Sequence, residues 1–376
     1  MGEQAVEALQ VAVVGCGGSR QAFGPALPTV AGVRLAAMVD SDTAAARTWT
    51  RGTRGAAIHH ELDGLLAGRP VDAALLFTPL PEREAQLRRL LESGIHVLCE
   101  VPPVLGLSVW RGMAALAAEA GVHLVPALRR RHDPVFLRVA ELLEAGAIGR
   151  PERVRCDWSF LTEYAEHRSC VRSWPGALLH MAIVTVDLAG WWLGDAATVS
   201  ADIDAEGRRQ QDIANMIFHH EHGVSIHHLA RTTRRNPVEH YTITGDEGHI
   251  EAAYGAGWSH LAAEPFRATL HRRGAAPEDV TPPRAERPAP ASRVDVAAAG
   301  LLEAFSASVR SGAPPRGPDH FGRALEALVG AYLSSASRAK VTLPLPSSPN
   351  VDAALPLLVS SAAEAPPHHA PRAATA

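Results

Sequence analysis

A short apolar run that ends on closely spaced glycines constrains this chain more than any other feature. Val11-Ala12-Val13-Val14 leads straight into Gly15-Cys16-Gly17-Gly18. A second apolar run, Val33 to Val39, closes on Asp40, twenty-five residues after Gly15. Near-continuous apolar runs of this length read as strands buried on both faces, the habit of parallel sheets. Gly15 permits a tight turn after the strand, and Gly17 and Gly18 have no side chains to hold a pyrophosphate off the backbone. The helix that follows offers unpaired N–H groups and a positive dipole end to that anion. Asp40 stands where a carboxylate accepts hydrogen bonds from the hydroxyls of an adenosine ribose. That favours NAD over the alternative, NADP, whose 2′-phosphate meets a like charge there. Arg20 replaces the usual third glycine, so helix and strand pack less closely at that point.

The strand–helix rhythm continues. Short apolar segments at 57–59, 73–77, 96–99 and 123–126 alternate with amphipathic helices at 82–92 and 109–120. This predicts an α/β chain that opens with a Rossmann-type doubly wound parallel sheet over residues 8–126, its ligand crevice at the carboxyl ends of the strands. After residue 126 the rhythm changes. Helix 134–145 and strand 154–160 precede a long apolar helix, 176–193. Strands at 197–205, 214–220, 224–229, 238–244 and 249–252 follow, joined by turns, with helices at 294–311 and 320–337. Residues 127–345 therefore read as an α+β domain with a large open, mainly antiparallel sheet. The Pro/Ala/Ser-rich stretch 346–376 reads as a disordered tail.

Bulk properties narrow the function classes. A net charge of −4 gives no electrostatic case for nucleic acid or an anionic membrane surface, and Arg129-Arg130-Arg131 is a short basic cluster without interleaved aromatics. The apolar helix 176–193 carries His180 and Asp187, so it reads as buried in protein and not as a membrane span. Four scattered cysteines without C-x-x-C spacing read as reduced thiols, which with the absence of a signal pattern at Met1-Gly2-Glu3-Gln4 points to the cytoplasm. His219, His220, His222, His227 and His228 straddle a predicted hairpin, so neighbours point to opposite faces. With no matching carboxylate or cysteine set they read as exposed sheet residues or a subunit contact, and no metal site is expected.

Several local patterns, in order, resemble the glucose–fructose oxidoreductase / inositol dehydrogenase / rhizopine-catabolism (Gfo/Idh/MocA) family. The glycine loop and Asp40 fit. So do the strand end at Thr78-Pro79, the segment Gly94 to Glu100 leading to Pro102, the opening Arg131-His132-Asp133-Pro134, and the turn Gly245 to Glu251. The resemblance implies a cofactor site built from Gly15, Gly17, Gly18, Asp40, Thr78, Pro79 and Glu100. The family places a lysine between that glutamate and proline; here the residue is Val101. It also places Asp-x-Gly-x-His-x-x-Asp ahead of a tryptophan. Counting back from Trp191, Asp187 takes the last position, Val184 the catalytic histidine and His180 the first aspartate.

His180, Val184 and Asp187 share one helix face at i, i+4, i+7. The expected catalytic pair is therefore His180 as a displaced base and Asp187 as a polar anchor; a substrate-binding or structural His180 is the alternative. Arg131, His132 and Tyr164 are the candidate substrate contacts, with surface or structural roles as the alternative. The resemblance implies an NAD(P)-dependent oxidoreductase acting on a hydroxyl or keto group of a sugar, cyclitol or sugar nucleotide, and a homo-oligomer paired through the open sheet. The two valines keep open a non-redox or catalytically silent member that binds NAD(P) structurally or acts with a partner enzyme.

Overall fold

The computed structural model describes residues 8–16, 20–49, 55–68, 70–161, 177–204, 213–232, 238–254, 266–283, 295–313 and 318–347. Gly17, Gly18 and Tyr164, and the tail beyond residue 347, lie outside them. Two sheets organise the chain. The first contains β1 (Leu9–Val14), β2 (Val33–Val39), β3 (Ala57–His59), β4 (Ala73–Leu76), β5 (His96–Cys99) and β6 (Leu124–Pro126), all parallel, in the order β3-β2-β1-β4-β5-β6. The strand order reverses between β1 and β4. Loops leaving these two strands part in opposite directions, which opens a crevice at their carboxyl ends.

The central strands are apolar because both faces are covered: Ala12, Val13, Val14 and all of β4 are fully buried. Helices α1 (Arg20–Ala26), α2 (Thr43–Trp49), α3 (Leu62–Leu66), α4 (Leu80–Glu92) and α5 (Leu107–Glu119) supply the crossovers. One further helix arrives from far along the chain. Helix α8 (Val296–Ser311) buries Ala298, Leu301, Leu302 and Phe305 in the cluster that holds Val13, Phe23, Leu75 and Leu98. The second half of the chain thus contributes a layer to the first sheet, a crossing that the sequence boundary at residue 126 does not anticipate. Asp295 caps α8 by accepting from Ala298 N–H, and Gly312 ends it at φ 67°.

Among the described residues, the second sheet has nine strands in the order β14-β13-β12-β11-β7-β10-β9-β8-β15. They are β7 (Pro151–Leu161), β8 (Ala196–Asp204), β9 (Ile213–His220), β10 (Gly223–Thr232), β11 (Glu239–Gly245), β12 (Gly248–Tyr254), β13 (Phe266–Arg272), β14 (Glu278–Asp279) and β15 (Val341–Thr342). Among the described residues, only β7 and β10 of this sheet pair in parallel. Helices α6 (Pro134–Glu144), α7 (Ala177–Leu193) and α9 (Pro318–Ser337) pack on the sheet. Alternate residues obey the resulting asymmetry: Ala214, Met216 and Phe218 of β9 are buried, while Ile217 between them is exposed.

Strands β13 and β14, absent from the sequence reading, extend this sheet beyond β12. A second correction concerns His227, expected among exposed sheet residues. It is fully buried, on the same face as Leu229, and hydrogen-bonds Thr185 of α7 at 3.0 Å and Ser225 at 2.9 Å. Burial, with His220 as a lesser cause, pushes its pKa down to about 3. A neutral imidazole between two hydroxyls satisfies the sheet–helix junction without a buried charge.

Candidate active site

The crevice is assembled from strand ends. Gly15 leaves β1 at φ +88°, and its N–H donates to the Val39 carbonyl at 2.8 Å. A Cβ there would lie 2.7 Å from the Thr78 amide nitrogen, so only glycine lets the loop after β1 pass this close to the end of β4. Asp40 follows β2. Its carboxylate accepts the Cys16 N–H at 2.6 Å and the Asp42 N–H at 2.8 Å. Trp49, at the end of α2, donates its indole N–H to the Cys16 carbonyl at 3.3 Å. The acid is therefore locked against the glycine loop, with further lone pairs on both oxygens to accept ribose hydroxyls. This arrangement fits an adenine dinucleotide.

A residue not singled out from sequence joins the next two strand ends. Arg83 of α4 is 1% exposed and forms no ion pair among the described residues; it serves backbone carbonyls instead. Its Nε and Nη2 donate to the Thr78 carbonyl at 3.0 and 2.6 Å. Nη1 donates to Pro102 at 2.6 Å and to Glu100 at 3.2 Å. One planar guanidinium thus fixes the separation of Thr78-Pro79 and Glu100–Pro102. The sequence held a signal for it: residues 83, 87, 90 and 91 form one helical stripe, and the other three are buried leucines. Thr78 also donates its hydroxyl to Gln86 Oε1 at 2.5 Å, Pro79 precedes the first turn of α4, and Glu100 accepts the Val101 N–H at 3.1 Å.

Across the crevice, α7 presents His180. Its Nδ1 lies 3.2 Å from the Val101 carbonyl. The histidine is thereby brought to the backbone at the end of β5. Val101 is 1% exposed and Val184 is 7%, so both make apolar wall.

Asp187, expected as a polar anchor on the His180 face of the helix, is engaged by an arginine. It is 3% exposed and accepts Arg131 in a bidentate pair, Nε to Oδ2 at 2.7 Å and Nη2 to Oδ1 at 3.0 Å. It lies seven positions along the helix from His180, about 10 Å along the axis. Burial pushes its carboxyl pKa up, against the pull of Arg131. The guanidinium also lies 5.1 Å from the Trp191 ring. A small cavity of about 30 Å³ on this side is lined by Arg131, Asp187, His220, His320 and Arg323. His132 packs against α8, where a Cβ on Gly300 would lie 3.2 Å from its carbonyl oxygen. Burial and the neighbouring Arg131 lower the His132 pKa to about 4, so its ring is neutral at pH 7.

The basic cluster at the start of the second domain is consumed by three acids from three elements. Arg129 pairs with Asp295 at the cap of α8, Arg130 with Glu239 of β11 at 2.8 Å, and Arg131 with Asp187 of α7 at 2.7 Å. Spacing along the sequence carries no trace of these partners, which lie 56 to 166 residues away.

Comparison with known proteins fits this geometry. Residues 9–127 match the oxidoreductase family model described as an NAD-binding Rossmann fold, and residues 136–251 match the Gfo/Idh/MocA C-terminal domain. An inositol 2-dehydrogenase of Streptomyces avermitilis is 30% identical over 175 residues, 45% of this chain and 48% of that protein. A myo-inositol dehydrogenase of Streptomyces leeuwenhoekii is 30% identical over 147 residues, 39% of this chain and 45% of that protein. The chain thus spans about half the length of the curated relatives it matches. Among solved structures, an Agrobacterium radiobacter oxidoreductase in complex with NAD+, L-tartaric acid and magnesium shares the fold with a TM-score of 0.74 at 20% identity, over 89% of this chain and 98% of that one. A WlbA dehydrogenase from Bordetella pertussis, in complex with NADH and UDP-GlcNAcA, does so with a TM-score of 0.74 at 20% identity, over 92% of this chain and all of that one. The two family matches together take in more than half of the residues, and the chain belongs to the Gfo/Idh/MocA oxidoreductase family, its first domain an NAD-binding Rossmann fold.

Proposed function

We propose that this protein is an NAD-dependent dehydrogenase that oxidises a secondary hydroxyl of a cyclitol, sugar or sugar nucleotide, with His180 receiving the hydroxyl proton. The observation that carries the reading is the 3.2 Å contact between His180 Nδ1 and the Val101 carbonyl. A carbonyl oxygen only accepts, so Nδ1 carries the ring proton and Nε2 holds the lone pair. Oxidation of an alcohol removes hydride from carbon and a proton from oxygen; NAD, when bound, supplies the hydride acceptor. Neither Val101 nor Val184 can take the proton, whereas an imidazole with its lone pair on Nε2 can. The Val101 carbonyl then stabilises the imidazolium. The two buried valines add apolar wall to this part of the site.

In this reading, Gly15, Gly17 and Gly18 are the residues that bind the pyrophosphate and Asp40 holds the adenosine ribose. Thr78, Pro79 and Glu100 line the nicotinamide end. Arg131, His132 and Tyr164 belong to the substrate side, with Asp187 orienting Arg131. The inositol dehydrogenases among the relatives support a polyol ring as substrate class.

The test is a fluorescence titration with NAD and NADP, then absorbance of reduced nicotinamide across a panel of cyclitols, sugars and nucleotide sugars. Binding of NAD with reduction on at least one polyol is expected. The buried valines support one second reading, a non-redox or silent member that holds the dinucleotide structurally or works beside a partner enzyme. Tight binding without reduction on any of the panel selects that reading, and failure to bind either dinucleotide removes both.

Asp40→Ala tests the cofactor preference. Losing hydrogen bonds to a charged acceptor costs about 1.5–3 kcal/mol each, so NAD is expected to weaken roughly ten- to a hundredfold while NADP weakens less. A loosened glycine loop would weaken both dinucleotides alike. An unchanged NAD-to-NADP ratio therefore removes Asp40 from the ribose.

A further inference from the structure

The geometry points to a divalent transition-metal site on the second sheet, outside the cofactor crevice, held by His249 and Glu251 of β12 and His271 of β13. Ile250, Ala252, Ala268 and Leu270 on these strands are buried in the core. His249, Glu251 and His271 are only half-buried and occupy the alternate positions, so they share the opposite face. His249 and His271 are direct partners in the antiparallel register, and their rings stack at 4.2 Å with 7° between planes. One donor atom from each of the three side chains lies within 4.8 Å of the other two.

A second observation points to a ligand. His271 Nε2 is closed off from water, yet it has no hydrogen-bond partner among the described residues. The nearest acid is Glu251, whose Oε2 lies 3.7 Å away, beyond hydrogen-bond range. A buried ring nitrogen without a partner is costly, and a metal ion in the space between it and Glu251 removes that cost.

Two imidazoles and one carboxylate make a donor set suited to Zn²⁺, which takes nitrogen at about 2.0–2.1 Å and oxygen at about 2.0–2.2 Å. Tetrahedral ligation then sets donors roughly 3.3 Å apart, so no pair of the three atoms needs to close by more than about 1.5 Å, within reach of small side-chain rotations. The fourth position is left to water. The paired strands hold the ligand backbones in register, so little ordering is required on binding. An ion here ties β13 to β12, next to the two-residue edge strand β14.

The experiment uses the full chain without a histidine tag. Zn²⁺ is titrated against a chromophoric chelator, and Co²⁺ is added as a spectroscopic probe. One equivalent of Zn²⁺ is expected to bind and raise the thermal midpoint, and Co²⁺ is expected to show the intense visible absorption of tetrahedral N/O ligation. Loss of partners that only support a ligand costs 10–100-fold in metal affinity, so His271→Ala, which removes a ligand, is expected to cost more than ~100-fold. Glu251→Gln keeps the shape of the side chain and is expected to weaken binding as well. His222→Ala, at the exposed hairpin turn, is expected to change nothing. Absence of stoichiometric binding, or affinity that falls with His222→Ala and not with His271→Ala and Glu251→Gln, overturns the site and leaves a plain His–Glu surface pair.

Discussion

His180→Ala is expected to lower turnover on the oxidised polyol by ~10²–10⁴-fold, the usual contribution of a positioned general base, while NAD affinity changes little. The two readouts separate because the side chain meets the β5 end at the Val101 carbonyl, whereas Asp40 holds Cys16 after β1. His180→Asn is the sharper partner. Its amide still donates to a carbonyl but cannot take up a proton at neutral pH. If His180 only positions substrate, the Asn variant retains most of the rate. If it transfers the proton, both variants fall together, and the acidic limb of the kcat/KM profile disappears with them. A near-normal rate in His180→Ala would place the base elsewhere. Asp187 is a poor substitute: its two oxygens are taken up by Arg131 and it lies about 10 Å along the helix axis.

The largest expected effect on stability is that of Glu239→Ala. The Glu239 side chain is 1% exposed and receives Arg130 through two bonds, Nε at 3.0 Å and Nη2 at 2.8 Å. The Tyr241 hydroxyl donates to the same carboxylate at 3.0 Å. Burial works against the Arg130 charge, but the carboxylate outweighs it and holds the guanidinium pKa above its ordinary value. Without Glu239 the largest pull against the burial penalty is gone, Asp133 being a lesser one. Breaking one side of such a pair costs about 3–5 kcal/mol, a large share of the 5–15 kcal/mol that typically holds a protein together. Urea unfolding is the measurement. A loss under ~1 kcal/mol, the range of exposed pairs, would show that Arg130 finds water or another acid. Tyr241→Phe leaves the pair intact and is expected to cost less, about 1.5–3 kcal/mol for one hydrogen bond to a charged acceptor.

These two residues illustrate how unevenly the site was legible. His180 was reachable from sequence because helical periodicity places residues 180 and 184 on one face, and the family pattern supplies the meaning of that face. Its partner was not: the Val101 carbonyl lies 79 residues earlier, on the other side of the crevice. Arg129, Arg130 and Arg131 looked like one basic feature because they are adjacent. In three dimensions each belongs to a different acid, and the cluster is a clasp among α7, α8 and β11 and not a charged surface. Arg83 was hidden for the opposite reason. A polar residue on an apolar stripe reads as an irregularity until the carbonyls it serves are seen. His249 and His271 were never a pair in sequence, since strand β13 follows a long stretch of weak pattern and only cross-strand register brings the two rings together.

Local chemistry was enough for the first sheet. Runs such as Val11–Val14 and Ala73–Leu76 can only be strands buried on both faces, and a glycine followed by a distant acid admits few other uses. The sequence by itself therefore determined the parallel sheet, its order of strands and helices, and the dinucleotide crevice. The tertiary structure alone decided which charges meet, that α8 returns to cover the first sheet, and that His227 is inside. Periodicity reports the face on which a residue lies. What that face meets depends on contacts between segments tens to hundreds of residues apart, and only the folded chain supplies them.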